Sequence, residues 1–134
     1  MSTLRWTVDL SVGIDELDFH HRRIFTLIDD LQDAISASRD NPARIADVVA
    51  QLVDYAEYHL KKEEEYFDQC GYAGAQQHKR QHDLYRVKVK EMAGRIETPG
   101  ISEELAAFLG EWWVNHIQHE DKRYTDSLHA CGLQ

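Results

Sequence analysis

Two short runs carry the chemistry of this chain: His59-Leu-Lys-Lys-Glu63 and, after a glycine-containing break, His78-Lys-Arg-Gln-His82. Residues four apart lie on one face of a helix, about one turn from each other. Each pair can therefore close on a single object. Neutral imidazole is the commonest metal ligand among side chains, and a carboxylate adds the negative charge a cation needs. The spacing points to a metal ion.

The elements that must position these residues are legible from apolar phase. Residues 1–16 lack a sustained period and read as an N-terminal arm, with Trp6, Val8 and Val12 packing across one end before Gly13 turns the chain. From Leu17 the stripe Leu17, Ile24, Ile28, Leu31, Ile35 predicts an amphipathic helix with His21 filling its gap. Ser36 to Asn41 ends it, and Pro42 suits a first helical position. The second stripe is Ile45, Val49, Leu52, Ala56, His59, Glu63, Tyr66, stopped at Cys70-Gly71. The third runs Ala75, His78, His82, Tyr85, Val89, Met92, Ile96. After Thr98-Pro99-Gly100, Ser102 is expected to cap a fourth helix with Leu105, Leu109, Trp112, His116 and His119 on one row and Trp113, Ile117, Asp121, Tyr124 and Leu128 on the next. Short connections make sequential helices antiparallel neighbours, so residues 17–130 are expected to form an all-α, up-down-up-down four-helix bundle in a single domain, 1–134.

Five histidines and two carboxylates then fall in one interior with no lysine or arginine at a matching core position. Buried uncompensated charge costs several kcal/mol or more per group, so cations must come from outside. In the up-down-up-down order His21, His59, Glu63, His78, His82, His116 and Asp121 share one end of the bundle. Seven ligands exceed what one metal takes, and two carboxylates can bridge, which favours a dinuclear centre. Nitrogen-rich mixed ligation suits iron, while ligand type alone also admits manganese, copper or zinc. The Glu-x-x-His signature of ferritin-like centres and the His-Glu-x-x-His of zinc proteases are both absent. His119 is expected to act as an outer partner or a capping donor. His20 and His129 are expected to face solvent, and the run Lys61 to Glu65 to be a solvated face from which phase selects only Glu63.

Bulk properties narrow the function classes. At 134 residues the chain can bury an ordinary core. The N-terminus lacks a signal-peptide pattern and no window approaches a membrane span, so the protein is expected to be cytoplasmic. A net charge of -9 with scattered basic residues excludes a nucleic-acid footprint. Two cysteines without Cys-x-x-Cys argue against a disulfide framework or thiolate zinc site. Cys70 and Cys131 nevertheless follow the second and fourth helices, within topological reach of a redox-linked disulfide.

The arm at Trp6, Val12-Gly-Ile-Asp-Glu-Leu-Asp18 before His21, His59-x-x-x-Glu63, Gly71-Tyr72 before His78-x-x-x-His82, and Trp112 ahead of Asn115-His116-Ile117 with Asp121 five beyond together resemble the hemerythrin family, in particular its single-domain bacterial members. The resemblance spans nearly the whole chain. It implies one iron held by His78, His82 and His116, a second held by His21 and His59 with an open position, and Glu63, Asp121 and an oxo or hydroxo group bridging both. It implies reversible binding of dioxygen for storage, buffering or delivery, with no substrate turned over. An oxygen-consuming protein is the implied recipient; membrane insertion is not expected, and a monomer is favoured. An apolar pocket would map onto Ile24, Leu60, Trp112, Trp113 and Ile117. Three positions depart from the family: Leu60 where Phe is common, Trp113 where Leu is common, and His20 where Gln is usual. The first two are expected to compensate in volume and reshape the pocket without filling it. The rivals are a di-iron enzyme reducing peroxide or nitric oxide, and an oxygen- or iron-sensing module acting through a separate partner.

Overall fold

The computed structural model describes residues 4–37 and 42–134. Its helices are α1 (Asp15–Ala37), α2 (Pro42–Cys70), α3 (Ala75–Gly94), α4 (Ile101–His119) and a short α5 (Thr125–Ala130). α1 packs on α2 and α4, α2 on α3, and α3 on α4, the closed ring of a four-helix bundle. Most of the expected stripe residues are buried, from Leu17 and Leu31 on α1 to Leu105 and Leu109 on α4, whereas Ile35, Ile45, Tyr66, Ala75 and Ile96 sit half-buried toward the ends. Among the described residues no helix is long and apolar enough to cross a membrane.

Two helix boundaries show why the connections are short. Gly71 takes φ +63°, and the Tyr72 amide reaches back to the Phe67 carbonyl at 3.1 Å. The rings of Tyr72 and Phe67 then meet at 5.1 Å, so hydrogen bond, glycine and apolar contact together close α2. Pro42 opens α2 as expected; Ser38 to Asn41 of the preceding segment lie outside the described residues. At α4 the expectation fails. The helix starts at Ile101 behind Gly100 in the left-handed region (φ +85°), and the Ser102 hydroxyl bonds Glu103 instead of capping. Glycine reaches that backbone conformation without a Cβ clash, so the turn itself sets the start.

The fourth helix is also not continuous to Leu128. α4 ends at His119, a 3-10 turn spans Asp121–Tyr124, and α5 follows. This last segment grips the arm: the Thr125 hydroxyl donates to the Val12 carbonyl at 2.6 Å, His129 to the Gly13 carbonyl at 2.7 Å, and Lys122 to the Asp9 carbonyl. Asp18 holds the arm from the other side, accepting from the Val12 amide at 2.8 Å. Val12 is thereby buried, Trp6 is half-buried under the Arg22 guanidinium, and Val8 is exposed, contrary to its expected packing.

Cys70 and Cys131 are joined in a disulfide, with Cα atoms 5.4 Å apart. The closed loop contains α3, α4, the 3-10 turn and α5. Such bonds are uncommon in a reducing cytosol, so this one pulls against the expected compartment. Replacing both cysteines by serine is expected to lower unfolding stability by up to about 4 kcal/mol, from the closure entropy of a loop this long. Urea denaturation of oxidised wild type against the double variant measures it.

Candidate metal centre

Helix phase delivers the donors. His59 and Glu63 project from one row of α2, His78 and His82 from one row of α3, and His21 and His116 face them from α1 and α4. All six are buried, as is Asp121. On an uninterrupted α-helix Asp121 would sit about 140° around from His116. The break after His119 re-aims it, and Asp121 Oδ1 comes within 3.1 Å of His116 Nε2.

The donor atoms form two groups, each within 4.8 Å: Glu63, His78, His82, His116 and Asp121 in one, His21, His59, Glu63 and Asp121 in the other. The two carboxylates belong to both and divide their oxygens between them. Asp121 Oδ1 faces His78 at 2.9 Å and His116 at 3.1 Å, while Oδ2 faces His21 at 3.2 Å. Glu63 Oε1 faces His82 at 3.3 Å, and Oε2 faces His59 at 3.1 Å. Tyr124, a residue that phase analysis assigns only to the core, donates its hydroxyl to Glu63 Oε2 at 2.8 Å.

These contacts fit a cation better than they fit a hydrogen-bond network. The Nε2 atoms of His21 and His59 lie 3.1 Å apart, and those of His116 and His78 3.0 Å. Imidazoles at adjacent positions on one metal, with bonds of about 2.1 Å, would bring their nitrogens to about 3.0 Å. Glu63 Oε1, both Asp121 oxygens and His82 Nε2 are buried without a well-aligned hydrogen bond. Buried polar atoms are rarely left so, and a shared ion would satisfy them.

The electrostatics carry the same message. Burial favours the neutral form of Glu63, but His59, His21 and His78 outweigh it and hold the carboxyl well below its usual range. Burial and Glu63 likewise act against ionised Asp121, and His116 and His21 prevail. Two negative charges are thus maintained inside the bundle. Burial and the Glu63 and Asp121 carboxylates push the Tyr124 hydroxyl well up, so it stays a donor.

The remaining sequence expectations divide. Ile24, Leu60, Trp113 and Ile117 are fully buried. The Trp113 indole lies against His59 (5.7 Å between centroids) and His21 (6.4 Å), and its Nε1 donates to the Tyr85 hydroxyl at 3.1 Å. Trp112 does not join them in the interior. It stacks on the outer side of His116, 4.3 Å and 12° from parallel, and walls an open groove of about 390 Å³ with Phe108, Gln81 and Asn115. His119 is exposed in the same groove, and His129 is exposed as expected. His20 is not solvent-facing: it is 4% exposed, between Tyr55, Tyr58 and His59. A turn of about 100° from His21 still leaves it in the seam with α2. Burial, with His59 beside it, lowers the His20 imidazole to about 4, so it is neutral.

A four-helix bundle with at least one histidine from every long helix and two carboxylates gathered at one point is a metal-binding bundle protein in its architecture. Comparison with known proteins makes the class specific. The model of the hemerythrin HHE cation binding domain matches residues 12–127, and the chain belongs to the hemerythrin family. It is 35% identical over 131 residues to a bacteriohemerythrin of Stenotrophomonas maltophilia, covering 97% of this chain and 84% of that one. To a hemerythrin-like protein of Naegleria gruberi it is 31% identical over 127 residues, 95% of each chain. The crystal structure of a wild-type hemerythrin superposes with a TM-score of 0.87 at 26% identity, over 95% of this chain and 98% of that one.

Proposed function

We propose that this chain binds dioxygen reversibly at a di-iron centre, for storage, buffering or delivery. The observation that carries the reading is the pair of donor groups sharing Glu63 and Asp121, three histidines on one side and two on the other. His78, His82 and His116 would hold one iron, His21 and His59 the other, and both carboxylates would bridge. When bound, the metal pair supplies the electrons that dioxygen takes up and returns. The chain's part is to keep that exchange reversible. Ile24, Leu60, Trp113 and Ile117 exclude water on the two-histidine side, where fewer protein donors leave room for a ligand. Tyr124 fixes Glu63, and the 3-10 turn fixes Asp121, so neither carboxylate can swing away. The bacteriohemerythrin names of its relatives support an oxygen binder over an enzyme.

Metal analysis with optical spectra under nitrogen, oxygen and peroxide tests this. Two irons per chain and a spectrum that reverts when oxygen is removed are expected. Irreversible oxidation with catalytic consumption of added peroxide would instead make the protein an enzyme.

Trp113→Leu probes the wall of the site. Shortening a fully buried indole leaves a cavity beside His21 and His59 and an unpaired Tyr85 hydroxyl, at a cost of about 2–4 kcal/mol. Water gains access, so autoxidation should accelerate several-fold and the oxygen off-rate should change with it. Rates equal to wild type in stopped-flow measurements would show that Trp113 does not line the path.

A further inference from the structure

The two halves of the site share their carboxylates but are backed by different partners. His82 directs Nε2 into the site and its other ring nitrogen, Nδ1, to Glu64 Oε2 at 2.8 Å. The same oxygen accepts from Arg86 Nη1 at 2.9 Å. Arg86 is fastened in turn, its Nε donating to Glu57 at 2.8 Å and its Nη1 to Asp83 at 3.0 Å. Glu64 is therefore a held anion, its side chain only 16% exposed. In the other half, His59 Nδ1 meets Nδ1 of the His20 ring at 3.0 Å, and His21 Nδ1 is buried with no hydrogen-bond partner. Glu16 lies 3.8 Å from His20 Nε2, too far for a hydrogen bond.

A carboxylate that accepts an imidazole N–H draws the ring toward imidazolate and strengthens its opposite nitrogen as a metal donor. An imidazole partner, which brings no negative charge, does this far less. We propose that Glu64, clamped by Arg86, is a positioning residue that makes His82 the strongest imidazole donor of the centre, so that the three-histidine half takes its metal first and holds it hardest, while the half backed by His20 stays labile. This rests on the metal-binding reading above. The ligand count already favours the three-histidine half, so the proposal is tested by what removing the Glu64 charge does to one binding step and not the other.

Co(II) is titrated into metal-free protein, followed by calorimetry and by its visible absorption. Glu64→Gln keeps an oxygen acceptor and removes the charge, while Arg86 retains Glu57 and Asp83. The first of two Co(II) steps should weaken by about 10–100-fold with a shift of its absorption bands, and the second by less than about threefold. Arg86→Met, which unfastens Glu64 without discharging it, should weaken the same step by a smaller factor. His20→Gln, which alters only the partner of His59, should leave the first step unchanged. A wild-type first step in Glu64→Gln or Arg86→Met, or equal weakening of both steps, overturns the proposal while two-metal binding stands. Fewer than two Co(II) per wild-type chain overturns the metal-centre reading and the proposal with it.

Discussion

Asp121→Asn is expected to weaken uptake of both metal ions by more than about 100-fold, leaving the purified chain with at most one. The substitution conserves shape, so the loss is one of charge and donor strength. Asp121 offers Oδ1 to His78 and His116 and Oδ2 to His21, which places one oxygen in each donor group. The amide keeps a single weak oxygen donor and turns an N–H₂ toward one of the two groups, where it repels a cation. Losing an outer hydrogen-bond partner typically costs 10–100-fold in metal affinity, and a shared inner donor should exceed that. His116→Ala is the paired control, because His116 belongs to the three-histidine group alone. It should retain about one ion per chain. Elemental analysis and competition with a chelator read both; two ions bound to Asp121→Asn at wild-type affinity would end the shared-carboxylate account.

Stripping the metal should cost several kcal/mol of stability, and the cost should grow with pH. A ligand present at a thousandfold its dissociation constant adds about 4 kcal/mol to the folded state, and chelation removes that term. The pH dependence follows from what replaces the metal. Burial alone would lower the His21 and His78 imidazoles, but Asp121 and Glu63 outweigh it, raising His21 to about 9 and His78 to about 10. The metal-free centre therefore holds protons in place of cations. Groups raised above the unfolded value of 6.5 contribute stability that is complete below that pH and lost as pH climbs through 9 and 10. Glu63 and Asp121 are lowered, so their contribution is present above the ordinary carboxylate range and lost only in acid. The metal-free protein should thus melt progressively lower between pH 6.5 and 10, and the loaded protein should not. Metal uptake in weak buffer should release protons over the same window. Parallel pH profiles of the loaded and stripped melting temperatures would sink this account.

How much of this was readable beforehand depends on the range over which each feature is set. The helix stripes, the closing glycine of α2 and the placing of His59, Glu63, His78 and His82 follow from backbone periodicity, which is local and written in the order of residues. So does the need for a cation, since polar groups in core phase without basic neighbours have few other remedies. What each side chain meets across the bundle was decided by packing. Phase put Asp121 on a continuing helix, but the interior is reached through a 3-10 turn held by contacts from Thr125, His129 and Lys122 to the arm more than a hundred residues away. His20 looked outward until α2 was laid over it, and Trp112 and Trp113, adjacent in the chain, parted: the first stacked on His116 beside a surface groove, the second went into the interior against His59 and His21. The Cys70–Cys131 bond and the Tyr124 hydroxyl on Glu63 likewise depend on where α5 docks. Periodicity fixes the direction in which a residue leaves its own helix; only the neighbouring helix decides whether that direction leads to water, to an imidazole or to a carboxylate.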